Sequence, residues 1–194
     1  SGVFNYIKTI GGVTFNGAAR KGSGTSNSDG SSSGAGQSAW DFALTGTGDM
    51  LGVDGLSWGV GYGEAEDGST DHAQNTKGED EHMTAFVNYA MGGITVGYQE
   101  SAIDEASKDG NSEYANAWGI AFAVNENLSV SYGEREVEYA EPSATHVTEE
   151  GEGIAVAYTM GSMKIAGNQN EVSNNGGVSG TNDSMTEIAV SFAF

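Results

Sequence analysis

Cysteine is absent from this 194-residue chain, proline occurs once, at Pro142, and only seven lysines and arginines stand against 27 aspartates and glutamates. Each shortage excludes something. Without cysteine there is no disulfide scaffold and no thiol chemistry. A formal charge of −20 repels phosphate backbones and anionic surfaces, so nucleic acid is not an expected partner. No run of 18 or more apolar residues exists, which excludes a membrane-spanning helix. A membrane-spanning strand escapes that test, since it needs only ~9–11 alternating residues. What the chain has instead is glycine, 31 residues of it, with serine, asparagine, threonine and short aromatic segments. That mixture builds strands and turns rather than helices, and an all-β fold is expected.

The last ten residues, Met185 to Phe194, set the pattern. Ile188, Val190, Phe192 and Phe194 fall on one face of a strand, while Glu187, Ala189, Ser191 and Ala193 fall on the other, because successive side chains point to opposite sides. An ordinary surface strand carries Thr, Lys and Glu outside. Tiny groups there suit a crowded or hollow interior.

The same alternation recurs along the chain. An opening strand through Tyr6 and Ile7 turns at Thr9–Gly12 into a second, near Gly12–Arg20. Residues 21–38 are low in complexity and expected to form a long surface loop. Trp40, Phe42 and Leu44 then alternate with Asp41, Ala43 and Thr45, and Leu56, Trp58, Val60 and Tyr62 with Ser57, Gly59, Gly61 and Gly63. Val87, Tyr89 and Met91 turn at Gly92-Gly93 into Ile94, Val96 and Tyr98, where Phe86 breaks parity and marks either a bulge or an inward aromatic. Trp118 to Val124, Leu128 to Tyr132, Ile154 to Met160, Met163 to Ile165 and the terminal strand complete eleven. Segments 64–82, 101–113, 140–152 and 171–184 are expected to be loops. The chain opens mid-strand, without an initiator methionine, as expected of a mature piece or fragment.

Two regularities organise these strands. Short connections alternate with long ones, as hairpins do when they zigzag through a slab with tight turns on one side and elaborate loops on the other. The segment Tyr89-Ala90-Met91-Gly92-Gly93-Ile94 also echoes Tyr158-Thr159-Met160-Gly161-Ser162-Met163, the mark of a repeated hairpin in an up-and-down meander. In a soluble sandwich the face away from the core would carry charge. Here charges avoid the strand middles on both faces, so the large-residue face suits hydrocarbon and the small-residue face a wide lumen.

The terminal strand, ending in Phe194, resembles the targeting signal of bacterial outer-membrane barrels, with Ile188, Val190, Phe192 and Phe194 as the residues an assembly machinery would read. Together with Met91–Gln99, Asn116–Val124 and Gly153–Met163, it is similar to the carboxyl-terminal half of general porins from marine alphaproteobacteria. The likeness covers most of the chain and is densest from about residue 83. It implies a sixteen-stranded, homotrimeric barrel in outer-membrane lipid that passes small hydrophilic solutes and ions by diffusion. Since an open row of strand edges cannot sit in lipid, eleven strands also imply further strands or a partner chain.

Strand parity nominates Asp41, Gln99, Arg135, Lys164 and Glu187 as pore-lining residues. Arg135 lies in Glu134-Arg135-Glu136, and its plainer role is a neutralised pair near a loop. Glu134, Glu136 and Glu138 share parity with lipid-facing Tyr132 and must stand above the hydrocarbon or follow a bulge. Catalytic constellations are absent from the pattern: no serine sits in Gly-x-Ser-x-Gly, and no enzyme is expected. His72, His82 and His146 fall in expected loops at no recognised ligand spacing. Glu64, Glu66, Asp67, Asp71, Glu79, Asp80 and Glu81, with Asp104, Glu105 and Asp109, offer hard oxygens for weak Ca²⁺ binding, or else form a solvated acidic rim. Either would draw cations toward a pore, so cation preference is expected. The alternative to a porin is a soluble or surface-attached β-rich adhesive protein whose long acidic loops bind partners.

Overall fold

In the computed structural model, residues 2–21, 38–66, 79–105, 112–140 and 145–193 are described. They form one antiparallel sheet in which every strand pairs with its neighbours in sequence. The strands are β1 (Val3–Ile10), β2 (Val13–Arg20), β3 (Ala39–Thr47), β4 (Leu56–Glu66), β5 (Glu79–Met91), β6 (Ile94–Asp104), β7 (Ser112–Ala123), β8 (Leu128–Ala140), β9 (Glu149–Met160), β10 (Met163–Ser173) and β11 (Asp183–Phe192). The fold is thus all-β and up-and-down, with the eleven strands that the alternation predicts. Single 3₁₀ turns at Gly48–Leu51 and Asn175–Gly177 are the helical elements among the described residues.

The tight turns follow from glycine. Gly11 and Gly12 both adopt positive φ, the requirement of the two-residue hairpin between β1 and β2. Gly92 and Gly161 each sit at φ 61° in the first position of their turns, while Gly93 and Ser162 do not share that conformation. Glycine first and any small residue second is the pattern of a type II′ turn, which explains why those two hairpins echo each other in sequence.

The register is continuous across β4, β5 and β6, so Phe86 is an inward aromatic and no bulge is present. It stands opposite Gly59, where an added Cβ would run into the Phe86 ring. The register through β7, β8 and β9 is likewise unbroken, which keeps Glu134, Glu136 and Glu138 on the same face as Tyr132. They stand beyond the apolar band of that face.

The expected loops are longer than the observed ones. β4 runs on to Glu66 and β5 begins at Glu79, so Glu64, Glu66, Glu79, Asp80, Glu81 and His82 lie in strands. β6 likewise reaches Asp104, β7 starts at Ser112, β9 starts at Glu149 and β10 ends at Ser173. Polar side chains do not stop a strand whose backbone is paired on both sides, and above an apolar band both faces of the sheet meet water. The low-complexity stretch, His72, Asp67, Asp71, Asp109, Pro142 and Phe194 lie wholly or mostly outside the described residues.

One layer of sheet leaves almost nothing enclosed. Val137 is the single apolar residue among the described ones that is buried, at 4% exposure, whereas Ile154, Met160 and Phe192 are more than half exposed. The hydrophobic effect requires apolar surface to leave water. The described residues of this sheet offer that surface no second layer to pack against.

Candidate functional site: the small-residue face and its loop end

The register sorts the strands into two faces. On one lie Phe42, Leu44, Trp58, Val60, Val87, Val96, Ile120, Val130, Val156, Ile165 and Val190; on the other lie Ala43, Thr45, Gly59, Gly61, Asn88, Gly97, Ala121, Ser131, Ala155, Ala166 and Ala189. The polar members of the second face bond to one another. Asn5 donates to Asn16 (3.2 Å), Thr9 and Thr14 share a bond of 2.9 Å, and Asn170 donates to Asn168 (3.0 Å), whose amide in turn reaches Glu187 (3.5 Å).

All five sequence-nominated residues project from this small-residue face, but they do not converge. Asp41 stands opposite Gly63, with His82 on the far side of that glycine. Gln99 and Arg135 share a rung with only Ala117 between them, about 10 Å apart at two strand spacings. Lys164 sits beside the Gly161–Ser162 turn, opposite Thr159 and Ser191. Glu187 is opposite Asn168. Scattered charges on a wall of small groups can attract, repel and orient a solute, but they do not assemble a nucleophile with its base.

The large-residue face carries a motif not anticipated from the sequence. Toward the loop ends, Tyr62 donates to Glu64 (2.7 Å) and Trp40 donates to the same carboxylate (3.1 Å). Four strands further on, Tyr132 donates to Glu134 (2.6 Å) and to Glu152 (2.8 Å), and Trp118 donates to Glu134 (3.0 Å). Tyr98 repeats half of the arrangement with Glu100 (2.7 Å). Their signal was in plain view as Gly-Tyr-Gly-Glu, Gly-Tyr-Gln-Glu and Ser-Tyr-Gly-Glu at 61–64, 97–100 and 131–134. Rings pointing to the apolar band with polar tips turned to an acidic row are what a lipid–water boundary selects.

Beyond that boundary, at the loop end of the small-residue face, lies the most enclosed polar cluster. Glu149, at 3% exposure, pairs in register with Val137, one rung past Glu136 and Glu150. It forms an ion pair with Arg135, accepts from the Tyr139 hydroxyl (2.9 Å) and accepts from the Gly176 amide (2.8 Å). Arg135 is therefore neutralised, not by its sequence neighbours Glu134 and Glu136, which point to the opposite face, but by Glu149 across the strand pair. Burial pushes the Glu149 carboxyl upward, yet the Gly176, Tyr139 and Arg135 donors outweigh it and hold the group below the usual carboxylate range. Burial, the bond to Glu149 and the charges of Glu149 and Glu113 push the Tyr139 hydroxyl up to about 12. It stays a donor at neutral pH. The Tyr139 and His146 rings stand 5.8 Å apart and cover Gly177. His146 thus lies in a connection, as expected, whereas His82 does not. Among the described residues no group of three or more His, Asp or Glu is arranged to hold a metal ion.

A single sheet of antiparallel strands, greasy outside an aromatic and acidic border and small and polar on its other side, defines the fold class of outer-membrane β-barrels. Solved structures agree. The chain is similar to OmpTdeltaL8, a loop L8 deletion mutant of OmpT, an outer membrane protein of Vibrio cholerae, at 12% identity and a TM-score of 0.69. That match covers 98% of this chain and 62% of the other. In-vitro folded OmpT and outer-membrane expressed OmpT, also from Vibrio cholerae, match at TM-scores of 0.67 and 0.65, both at 12% identity and 98% coverage of this chain. The chain spans 63% and 64% of those two. No protein-family model and no curated protein matches the sequence.

Proposed function

We propose that these strands are part of a bacterial outer-membrane porin, a water-filled channel through which small hydrophilic solutes and ions diffuse, with preference for cations. The observation that carries this is the near-absence of a core. With Val137 alone buried among the apolar side chains, the large-residue face needs hydrocarbon to cover it, and the small-residue face is left to line water. The same observation weighs against a soluble adhesive protein, whose apolar face would need a second layer.

Among the described residues no pairing joins β1 to β11, and lipid does not tolerate the open row of backbone groups on those two edges. Further strands, from the same chain or another, close the barrel. Sixteen strands and a homotrimer, as in the alphaproteobacterial general porins that the terminal strand resembles, are the arrangement we carry over. Ile188, Val190 and Phe192, all outward on β11, are the described part of the proposed assembly signal.

Asp41, Gln99, Arg135, Lys164 and Glu187 then line the pore. A formal charge of −20, with Arg135 already paired, leaves the field around the channel negative, and cations follow. Detergent extraction of the intact protein, its mass, and reconstitution into planar bilayers test the proposal. Discrete conductance steps with a reversal potential favouring cations in a salt gradient are expected. A monomeric protein soluble without detergent and silent in bilayers overturns it.

A further inference from the structure

Three parts of the chain meet on the Glu149 carboxylate. β8 supplies the Arg135 guanidinium and the Tyr139 hydroxyl, β9 supplies Glu149 itself, and the connection after β10 supplies the Gly176 N–H. That connection does not stand away from the sheet. It crosses the end of β9 to reach inward-facing side chains of β8. Gly177, buried at φ 71°, has no room for a Cβ: one placed there would lie 2.7 Å from the Tyr139 ring and 2.8 Å from His146 Nδ1.

The crossing is fixed by further bonds. Val147 N–H donates to the Gly177 carbonyl (3.1 Å), and the Asn174 side-chain amide donates to the Thr148 carbonyl (3.1 Å). Within the connection, Gly180 N–H donates to the Asn174 side chain (3.0 Å) and Asn175 N–H to the Thr181 carbonyl (2.7 Å). A loop tied to itself in this way moves as a unit, and Glu149 is the charged group whose hydrogen bond from Gly176 holds this unit to the wall.

We propose that Glu149 is a positioning residue that latches the β10–β11 connection across the loop end of the small-residue face, narrowing the channel mouth beside Arg135. The mouth is a mouth only if the porin reading above holds, so the inference rests on it. Two properties of the mouth follow from the one carboxylate: its width, through Gly176, and its charge, through Arg135.

The groups that face Glu149 decide its response to acid. Glu113 stands across from Tyr139 on β7, Tyr139 and Arg135 face it from β8, and His146 lies in the segment before β9. The β10–β11 connection, residues 174–182, carries no acidic, basic or histidine side chain. Tyr139, Arg135 and Gly176 all favour the ionised carboxylate. A carboxyl held low in the folded state contributes its stabilisation above the ordinary glutamate range and loses it as pH falls through the lowered value. The latch is therefore closed at neutral pH and released in acid.

The test uses the intact protein with a spin label on Ser179→Cys, a position exposed in the connection and the sole thiol of this sequence. Label mobility is read alongside unit conductance and reversal potential in planar bilayers. Glu149→Gln is expected to free the label, raise the unit conductance at neutral pH and abolish its rise on acidification. It also leaves Arg135 uncompensated, which shifts the reversal potential toward anions. Tyr139→Phe, which keeps the ring and both charges, gives a smaller shift of the same sign in mobility and conductance, and serves if Glu149→Gln does not insert. A conducting protein in which neither variant changes mobility, conductance or the acid response overturns the latch and leaves the porin standing. A protein that never conducts, although Glu149→Gln frees its label, overturns the porin and with it any role of the latch at a mouth.

Discussion

Phe86 lies where Gly59 leaves space, and the pair shows how the small-residue face is fitted at single positions. Gly59→Ala puts a methyl group into the Phe86 ring. Turning the ring aside costs about 1 kcal/mol, the price of an off-rotamer aromatic, and that cost vanishes in the Phe86→Ala background. A double-mutant cycle by denaturant titration in detergent measures the coupling, and additive effects of the two substitutions are the outcome that contradicts the contact. On the opposite face, Tyr132 holds Glu134 and Glu152, two carboxylates directly across from each other. Tyr132→Phe leaves that like-charged pair without its shared donor, and a lowered unfolding midpoint at neutral pH is expected. An unchanged midpoint would show that the hydroxyl takes no part. Both features were partly legible. The odd parity of Phe86 was visible as a break in alternation, but the choice between bulge and inward ring depended on the register of two neighbouring strands. The Tyr-x-Glu repeat was visible as letters, but its meaning depended on a Trp one strand away, at a separation of 16 to 24 residues that no local pattern records.

At the scale of the strand, β9 offers the cleanest test of which face meets what. Val156 and Ala155 are adjacent in sequence and opposite in direction. Val156→Lys, in the middle of the apolar run from Ile154 to Met160, is expected to cost about 2–4 kcal/mol if that face meets lipid. Ala155→Lys, on the small-residue face, is expected to stay within about 0.5 kcal/mol. Reversible folding into lipid vesicles measures both, and equal costs would sink the assignment of faces. The strand middles were legible because, apart from Phe86, large and small residues alternate through them. The strand ends were not, because Glu79 to His82 or Ser101 to Asp104 look like loop by composition and are held in place by ladder bonds to a partner strand. The Glu149 cluster was invisible for a related reason. Its members, Arg135, Tyr139, Glu149 and Gly176, are polar residues at loop-like positions, joined only when the connection after β10 folds back over β9.

For the whole molecule, charge rather than shape sets the expected selectivity. The acidic excess acts at a distance, and distance is what salt removes. The screening length falls from about 10 Å at 0.1 M to about 3 Å at 1 M. The cation-to-anion permeability ratio is therefore expected to fall toward one as the salt on both sides is raised at a fixed gradient ratio. A ratio independent of salt would place selectivity in close contacts with individual wall residues instead.

Among the described residues, the strands of this sheet pair only with their immediate neighbours in sequence, and β1 and β11 have one partner each. No crossover ties distant parts together, so the hairpin is a removable unit. Adding one at a glycine turn such as Gly92–Gly93 leaves the remaining register untouched, and so does deleting one. In evolutionary terms the circumference of such a wall is countable. It grows or shrinks by two strands per duplication or loss, and the sequence between two glycine turns is the module on which that arithmetic operates.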